Sequence, residues 1–248
     1  MEIKWILHDN LSSTNMLMHE MLKQQKVQEG LVVLADYQEA GKGQGSNSWH
    51  SRKGENLLMS LLLFPAFLSA SRQFHLSRLV SVAICEVLES LGVHPMIKWP
   101  NDILSSRGKI AGILLEHGIS GQSISFTIAG IGLNLNQSEF PEFPQPVSSL
   151  VLETGRKILP EHFAKILVDR IRTGYQQLKD GGDAELEKQY LDRLFRRGEV
   201  SGFEAGGANF TGIIRGVNEF GELLVEHERE ISSYGHGEIF LKEVHRVT

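Results

Sequence analysis

The sequence predicts an α+β protein: a mixed, largely antiparallel sheet flanked by helices, then a small β-barrel. Three observations carry this expectation. Apolar runs of strand length recur between residues 31 and 131 and are joined by short turns, which suits antiparallel neighbours better than parallel crossovers. Helix-period stretches stand at 16–22, 72–91, 162–178 and 184–195. Beyond them the chain changes to short strands separated by turn residues.

Taken in order, Ser12-Ser13-Thr14-Asn15 supplies helix-capping side chains ahead of Met16 to Leu22, a helix expected to close near Gly30. Leu31 to Ala35 is a short apolar run, read as a buried strand, and Asn56 to Phe64 is another. Between them lies a glycine-rich loop, Gly41 to Gly45. Arg72 to Leu91 is the longest helical pattern of the first half, with Gly92 as its stop. Met96 to Trp99 runs into a Pro-Asn-Asp turn. Ile103-Leu104 and Ile110 to Glu116 flank Ser105-Ser106-Arg107-Gly108, a hairpin signal. Ser123 to Ile131 reads as the next strand, and prolines at 141, 144 and 146 mark a loop. Pro160-Glu161 opens the third helix and Ala184 to Phe195 forms the fourth. Strands over 200–203, 209–217, 221–227, 230–233 and 238–241 then make up a barrel of about 50 residues. Two domains are expected, 1–190 and 191–248.

Composition narrows the function. With 248 residues, 41% hydrophobic and 22% charged, the chain can bury a sizeable core. A net charge of -5 argues against a nonspecific nucleic-acid or membrane-surface binder, though a site for a small anion needs only local positive charge. Cys85 is the single cysteine, so neither an internal disulfide nor a zinc cluster is expected, and its apolar helical setting suits a buried thiol. The start lacks signal-peptide character, and Leu57 to Leu68 is too short and interrupted to span a bilayer, so a cytoplasmic protein is expected.

Three clusters hold chemistry. In the first, Asp36 to Trp49, glycines at 41, 43 and 45 free the backbone so that N–H groups can converge on anionic oxygens. Lys42 adds charge, and Trp49 offers a flat face to a purine. No Gly-Lys-Ser/Thr ends the loop, so it is not a Walker A motif. Ser46 stands where a dinucleotide fingerprint needs its third glycine. In the second cluster, Lys98-Trp99-Pro100-Asn101-Asp102 precedes Gly108-Lys109-Ile110-Ala111-Gly112. Pro100 stops the strand, and Asn101 and Asp102 present oxygens that suit a site near Mg²⁺ or serve as turn residues. Lys109 enters a buried-looking strand, either as an edge residue facing solvent or as a paired charge in a pocket. The third is Gly130 to Asn136, where alternation puts Asn134 and Asn136 on one strand face.

Ser13-Thr14-Asn15, the Gly41–Trp49 loop, Lys98-Trp-Pro-Asn-Asp102, Gly108-Lys-Ile-Ala-Gly112 and Gly132-Leu-Asn134 resemble, in order and spacing, the motifs of biotin protein ligases. Each motif alone is weak; five in order are specific. The resemblance covers roughly residues 1–190 by motif and the tail by type. It implies a catalytic domain related to class II aminoacyl-tRNA synthetases plus an SH3-like C-terminal barrel. The implied reaction is activation of biotin by ATP to biotinyl-5'-AMP, then transfer to a lysine of a biotin carboxyl carrier domain. By the same resemblance Ser13, Thr14, Asn15 and Gln38 contact the ureido ring, and Gly112 and Gly130 line the biotin site. Gly41-Lys42-Gly43-Gln44 closes over biotin and the adenylate phosphate. Trp49 stacks on adenine, and Lys109 binds the carboxylate and α-phosphate. Asn101, Asp102 and Asn134 lie near nucleotide and metal, Lys98 supports the phosphates, and Mg²⁺ is held mainly by the phosphates. Asp102 is also a candidate acceptor for the carrier lysine's proton.

One departure matters. The family loop often reads Gly-Arg-Gly-Arg, whereas here Lys42 keeps the first charge without a guanidinium fork and Gln44 loses the second. Bifunctional members carry a DNA-binding helix-turn-helix ahead of the catalytic domain. Ser13 lies almost at the start, so a monofunctional enzyme without DNA binding is expected, as monomer or homodimer. Two competitors remain at this level: a lipoate or octanoate ligase of the same fold, which needs a long apolar tunnel, and a non-catalytic biotin-binding protein, for which Gln44 speaks.

Overall fold

The computed structural model describes residues 1–25, 27–45 and 47–242; Ser46 and the last stretch of the expected barrel, 243–248, lie outside them. The chain runs β1 (Lys4–His8), α1 (Thr14–Lys23), β2 (Leu31–Ala35) and β3 (Leu57–Leu63), then a 3₁₀ turn at Ala70–Arg72 and α2 (Phe74–Ser90). Next come β4 (Met96–Lys98), β5 (Asp102–Ser105), β6 (Gly108–Ser120), β7 (Ser123–Leu133), α3 (Leu150–Thr154), α4 (Pro160–Lys179) and α5 (Asp183–Asp192). The tail holds β8 (Val200–Ala205), β9 (Ala208–Val217), β10 (Leu223–His227), β11 (Glu230–Tyr234) and β12 (Ile239–Lys242).

The first sheet has seven strands in the order β1-β2-β3-β7-β6-β5-β4, and only β1–β2 is parallel. The mixed, mainly antiparallel sheet is therefore as expected. The interior strand β3 is buried along its whole length, because both faces are covered. Leu57, Met59, Leu61 and Leu63 join the main core under α2 and α4, while Leu62 joins Met18, Leu31, Val33 and Ile128 beneath α1. Strand alternation thus puts Leu58, Ser60 and Leu62 on the α1 side. Pairing carries that side across the sheet: Leu58 opposes Gly132, Gly132 opposes Gly112, and Gly112 opposes Asp102. One step along, Ser60 opposes Gly130 and Gly130 opposes Leu114; the next row ends on Glu116 beside Ile128.

The tail forms a five-stranded antiparallel sheet, β11-β10-β9-β8-β12, in which the last strand returns to pair with the first. It is fastened to α2 by Arg78, a fully buried guanidinium donating to the carbonyls of Val217 (2.8 Å) and Asn218 (3.3 Å) and to Glu187 (3.0 Å). Trp99 adds a second tie, its indole N–H donating to the Gly221 carbonyl at 2.9 Å. No helix among the described residues is long and apolar enough to cross a membrane. Cys85 is buried, and burial pushes its thiol well above the ordinary range, so it is an inert core group.

Several boundaries differ from the expectation. Helix α1 stops at Lys23, not near Gly30, because Gln25 turns left-handed (φ 55°). Gly30 instead (φ 88°) starts β2 where a Cβ would lie 2.2 Å from the Glu2 carbonyl oxygen. The fourth helix ends at Asp192, since Phe195 leaves it to donate to Ile97 at 2.9 Å. Asn134 and Asn136 do not share a strand face: β7 ends at Leu133, and the chain then donates from Asn134 N–H to Ile110 and from Asn136 N–H to Glu55. Strand β1 and the one-and-a-half turns of α3 had no place in the sequence reading.

Candidate functional site

The α1 side of the sheet, the 41–49 loop and the edge of the tail sheet enclose a cavity of about 410 Å³. Its floor is open because the row across β7 and β6 carries glycine on this side. A Cβ at Gly132 would lie 2.5 Å from Trp49 Cε2, and one at Gly130 would lie 2.5 Å from Asn15 Oδ1. Gly112 admits both Trp49 and Lys109, at 3.1 and 3.4 Å from its would-be Cβ. The glycines are therefore slots for specific side chains.

At one end the α1 N-terminus delivers hydroxyls and amides. Ser13 occupies the N-cap position, yet its side chain caps nothing and lines the cavity. The cap is replaced from a distance: Gln38 Oε1 accepts from the Thr14 N–H at 2.7 Å, satisfying an orphan donor of the helix. That bond also fixes the Gln38 amide, leaving its Nε2 as the free donor. Behind them Ser60 Oγ contacts Thr14 Oγ1 (2.7 Å) and Asn15 Oδ1 (2.5 Å). Asn15 Nδ2 donates to Glu116 Oε2 at 2.6 Å.

At the other end the charge is cationic. Lys42, Lys98 and Lys109 line the cavity, against the single carboxylate of Asp102. Lys109 is not a solvent-facing edge residue. Its Nζ sits 2.6 Å from Asp102 Oδ1 and 5.7 Å from the centre of the Trp49 ring, a paired charge over an aromatic face. The hairpin that carries it is held from below. Lys109 N–H donates to Pro146, and Ser148 N–H donates back to Lys109. Glu153 accepts from Ser105, Ser106 and Ser148. Burial raises the Glu153 carboxyl's affinity for protons, but those three hydroxyls and Arg107 outweigh it and hold its pKa below the usual range. Lys98 donates to Gln145 at 3.3 Å and Asn101 to the Ile113 carbonyl at 2.8 Å.

The loop is a closed excursion. Trp49 N–H donates to Gly41 and Gly43 N–H to Asn47, both at 2.8 Å, with Lys42 bridging Ser48. A Cβ at Gly41 would lie 2.6 Å from the Trp49 carbonyl oxygen, so that glycine shapes the loop base rather than the cavity wall. Two buried loop atoms, Gln44 Oε1 and Trp49 Nε1, have no partner among the described residues.

Of the residues to which the resemblance gave a role, the cavity gathers all but Gly41 and Asn134, and Gly45 and Asn136 also lie outside its lining. Asn134 is buried beside it, donating to the Ser148 carbonyl at 3.0 Å. Sequence reasoning missed Glu116 and Ser60, which stand behind the wall, and His236, which the tail contributes to the lining. Strand register, which brings Ser60 beside Gly130 and Glu116 beside Ile128, places the first two, and no local sequence signal marks any of the three. No group of three or more potential metal-ligating side chains exists among the described residues.

The comparisons bear on the same residues. Residues 7–134 match the model of the Biotin/lipoate A/B protein ligase family. A bifunctional ligase/repressor BirA of Bacillus subtilis is 40% identical over 157 residues, 62% of this chain and 48% of that protein, so the match spans about half the length of that relative. A biotin--[acetyl-CoA-carboxylase] ligase of Paracoccus denitrificans is 34% identical over 201 residues, covering 78% of this chain and 82% of that one. The biotin protein ligase from Aquifex aeolicus, solved in complex with biotin and ATP, superposes with a TM-score of 0.80 at 27% identity, over 97% of this chain and 99% of that chain. With a glycine-floored cavity, a polar end, a lysine-rich end and these relatives together, the chain belongs to the biotin/lipoate A/B protein ligase family.

Proposed function

We propose that this chain is a biotin protein ligase, joining biotin to ATP as biotinyl-5'-AMP and passing it to a lysine of a biotin carboxyl carrier domain. The observation that carries the proposal is Lys109, poised between the polar α1 end and the Trp49 loop. Two anions, a carboxylate and an α-phosphate, must meet for adenylation, and a fixed ammonium where they meet offsets their repulsion. The carboxylate oxygen attacks the α-phosphorus and the bond to the β-phosphate breaks, releasing pyrophosphate. Mg²⁺ bound to the phosphates would shield that leaving group, with Asn101 and Asp102 as the nearby protein oxygens.

Each wall then has a task. Ser13, Thr14, Asn15 and Gln38 present hydrogen-bonding groups suited to a ureido ring, with Gly112 and Gly130 leaving room. Trp49 is the adenine platform, and the amides and charge at Lys42, Gly43 and Gln44 cover the mixed anhydride against water. Lys98 and Asn101 flank the phosphates. In the second step a neutral lysine amine attacks the acyl carbon and AMP leaves. Asp102 accepts that amine's proton once Lys109 has turned from it onto the anions. Division at residue 190 into a catalytic domain and a small C-terminal domain belongs to the same reading, as does action in the cytoplasm as monomer or homodimer. A polar end wall in place of a continuous apolar tunnel favours biotin over lipoate or octanoate.

The test is incubation with labelled biotin, MgATP and an apo carrier domain. Label on the carrier is expected from the unaltered chain and not from Lys109→Ala. Labelling with octanoate in place of biotin, or binding of biotin with no transfer, would replace this reading with one of its competitors.

A further inference from the structure

We infer that Glu116 is a positioning residue that sets the direction of a hydrogen-bond chain ending at the Thr14 hydroxyl, and thereby the preference of the pocket for a ligand N–H. Glu116 stands outside the cavity wall, on the face of β6 that looks toward α1. Its carboxylate only accepts, so Asn15 must turn Nδ2 toward it (2.6 Å). Leu114 O, 3.5 Å from the same nitrogen, is compatible with that orientation but too distant to impose it. Asn15 Oδ1 then faces Ser60, at 2.5 Å.

Proton counting does the rest. Ser60 has one hydroxyl hydrogen and Asn15 Oδ1 has none, so that short contact takes the serine proton. The 2.7 Å contact between Ser60 and Thr14 must then use the proton of Thr14. Thr14 is left with lone pairs, and it lines the cavity where Ser60 does not. A carboxylate on the far side of the wall thus makes Thr14 an acceptor, while Gln38, whose oxygen is committed to the Thr14 amide, offers a donor. An N–H beside a C=O, the edge of a cyclic urea, matches that pair. Gly130 is part of the device, since any Cβ there would displace the Asn15 amide. His19 lies 3.4 Å from the other Glu116 oxygen and supports the same orientation.

The inference rests on the biotin reading, and its test separates the two. Biotin affinity is measured by calorimetry, and adenylation by pyrophosphate release, for the unaltered chain, Glu116→Ala, Glu116→Gln, Thr14→Val and the double variant Glu116→Ala/Thr14→Val. Glu116→Ala is expected to raise the biotin Kd about 10-fold, the value of one oriented hydrogen bond, with the KM for ATP and kcat at saturating biotin unchanged. Glu116→Gln, whose Oε1 still accepts from Asn15, should stay within about 3-fold of the unaltered chain. In the Thr14→Val background Glu116→Ala should add nothing, because the end of the chain is gone. Additive losses, a glutamine variant as weak as the alanine one, or an alanine variant with unchanged Kd would each overturn the inference. Absence of biotin binding by the unaltered chain would overturn the functional reading instead.

Discussion

Replacing Gly132 by alanine is expected to damage nucleotide use while sparing biotin. The added Cβ would lie 2.5, 2.7 and 2.8 Å from Trp49 Cε2, Cδ2 and Nε1. Carbon atoms prefer about 3.5–4.0 Å, so the indole must retreat by roughly 1 Å. The backbone has little freedom to yield, since Gly132 is paired on both sides, to Leu58 and to Gly112. The ring therefore tilts out of its slot and carries the adenine with it. A misplacement of that size costs on the order of 10²-fold in rate when it disturbs the attack geometry. Pyrophosphate release at varied ATP should show kcat/KM for ATP lower by about 10- to 100-fold, with the biotin Kd from calorimetry within about 3-fold. Unchanged ATP kinetics in Gly132→Ala would refute the placement of adenine on Trp49. An equal loss for biotin would mean that the strand, not the ring, had moved.

Other perturbations follow from the same geometry. Gln44→Arg should restore a charged donor where Gln44 Oε1 now lies buried with no partner among the described residues, slowing escape of the adenylate on the order of 10-fold, read as less nonspecific lysine labelling. Arg78→Ala strands two carbonyls and Glu187 at the junction of α2 and the tail sheet, and should lower stability by about 3 kcal/mol in urea unfolding. Acid should weaken the fold in two stages. Burial lowers the pKa of both His75 and His117, the former also through Arg72 and Arg78. The unfolded chain therefore binds protons that the folded one refuses, and stability falls as pH drops below about 6.5. The depressed Glu153 carboxyl adds a second loss at lower pH, below the ordinary carboxylate range, as it protonates and releases the hairpin bearing Lys109. Urea midpoints from about pH 2.5 to about pH 7.5 read both, and a flat profile through about pH 6 would contradict the histidine part.

Much of the cavity lining was legible because five short motifs, each weak alone, stand in one order along the chain. Gly112 and Gly130 entered through the resemblance of ordered motifs, while Lys109 in an apolar strand left two readings open, a solvent-facing edge residue or a paired charge. Their partners were not legible, because pairing register joins residues about seventy positions apart, as with Ser60 and Gly130. Glu116 looked like the polar end of a strand, and only the Asn15 amide reveals its use. The Asn134 to Asn136 segment kept an alternating pattern beyond the last ladder bond, since alternation alone does not say where pairing stops. Strand β1 carries Lys4, Trp5 and His8 at a sheet edge, too mixed to read, and α3 is too short for any period to show. His236 reaches the cavity only because the tail sheet is fastened against the Trp99 string.

Biotin-dependent exchange of labelled pyrophosphate into ATP isolates the first chemical step from the carrier. The unaltered chain should exchange, and Lys109→Ala should exchange on the order of 10²-fold more slowly while still binding biotin through its ring end. Exchange at the full rate without that ammonium would mean that the anions meet elsewhere.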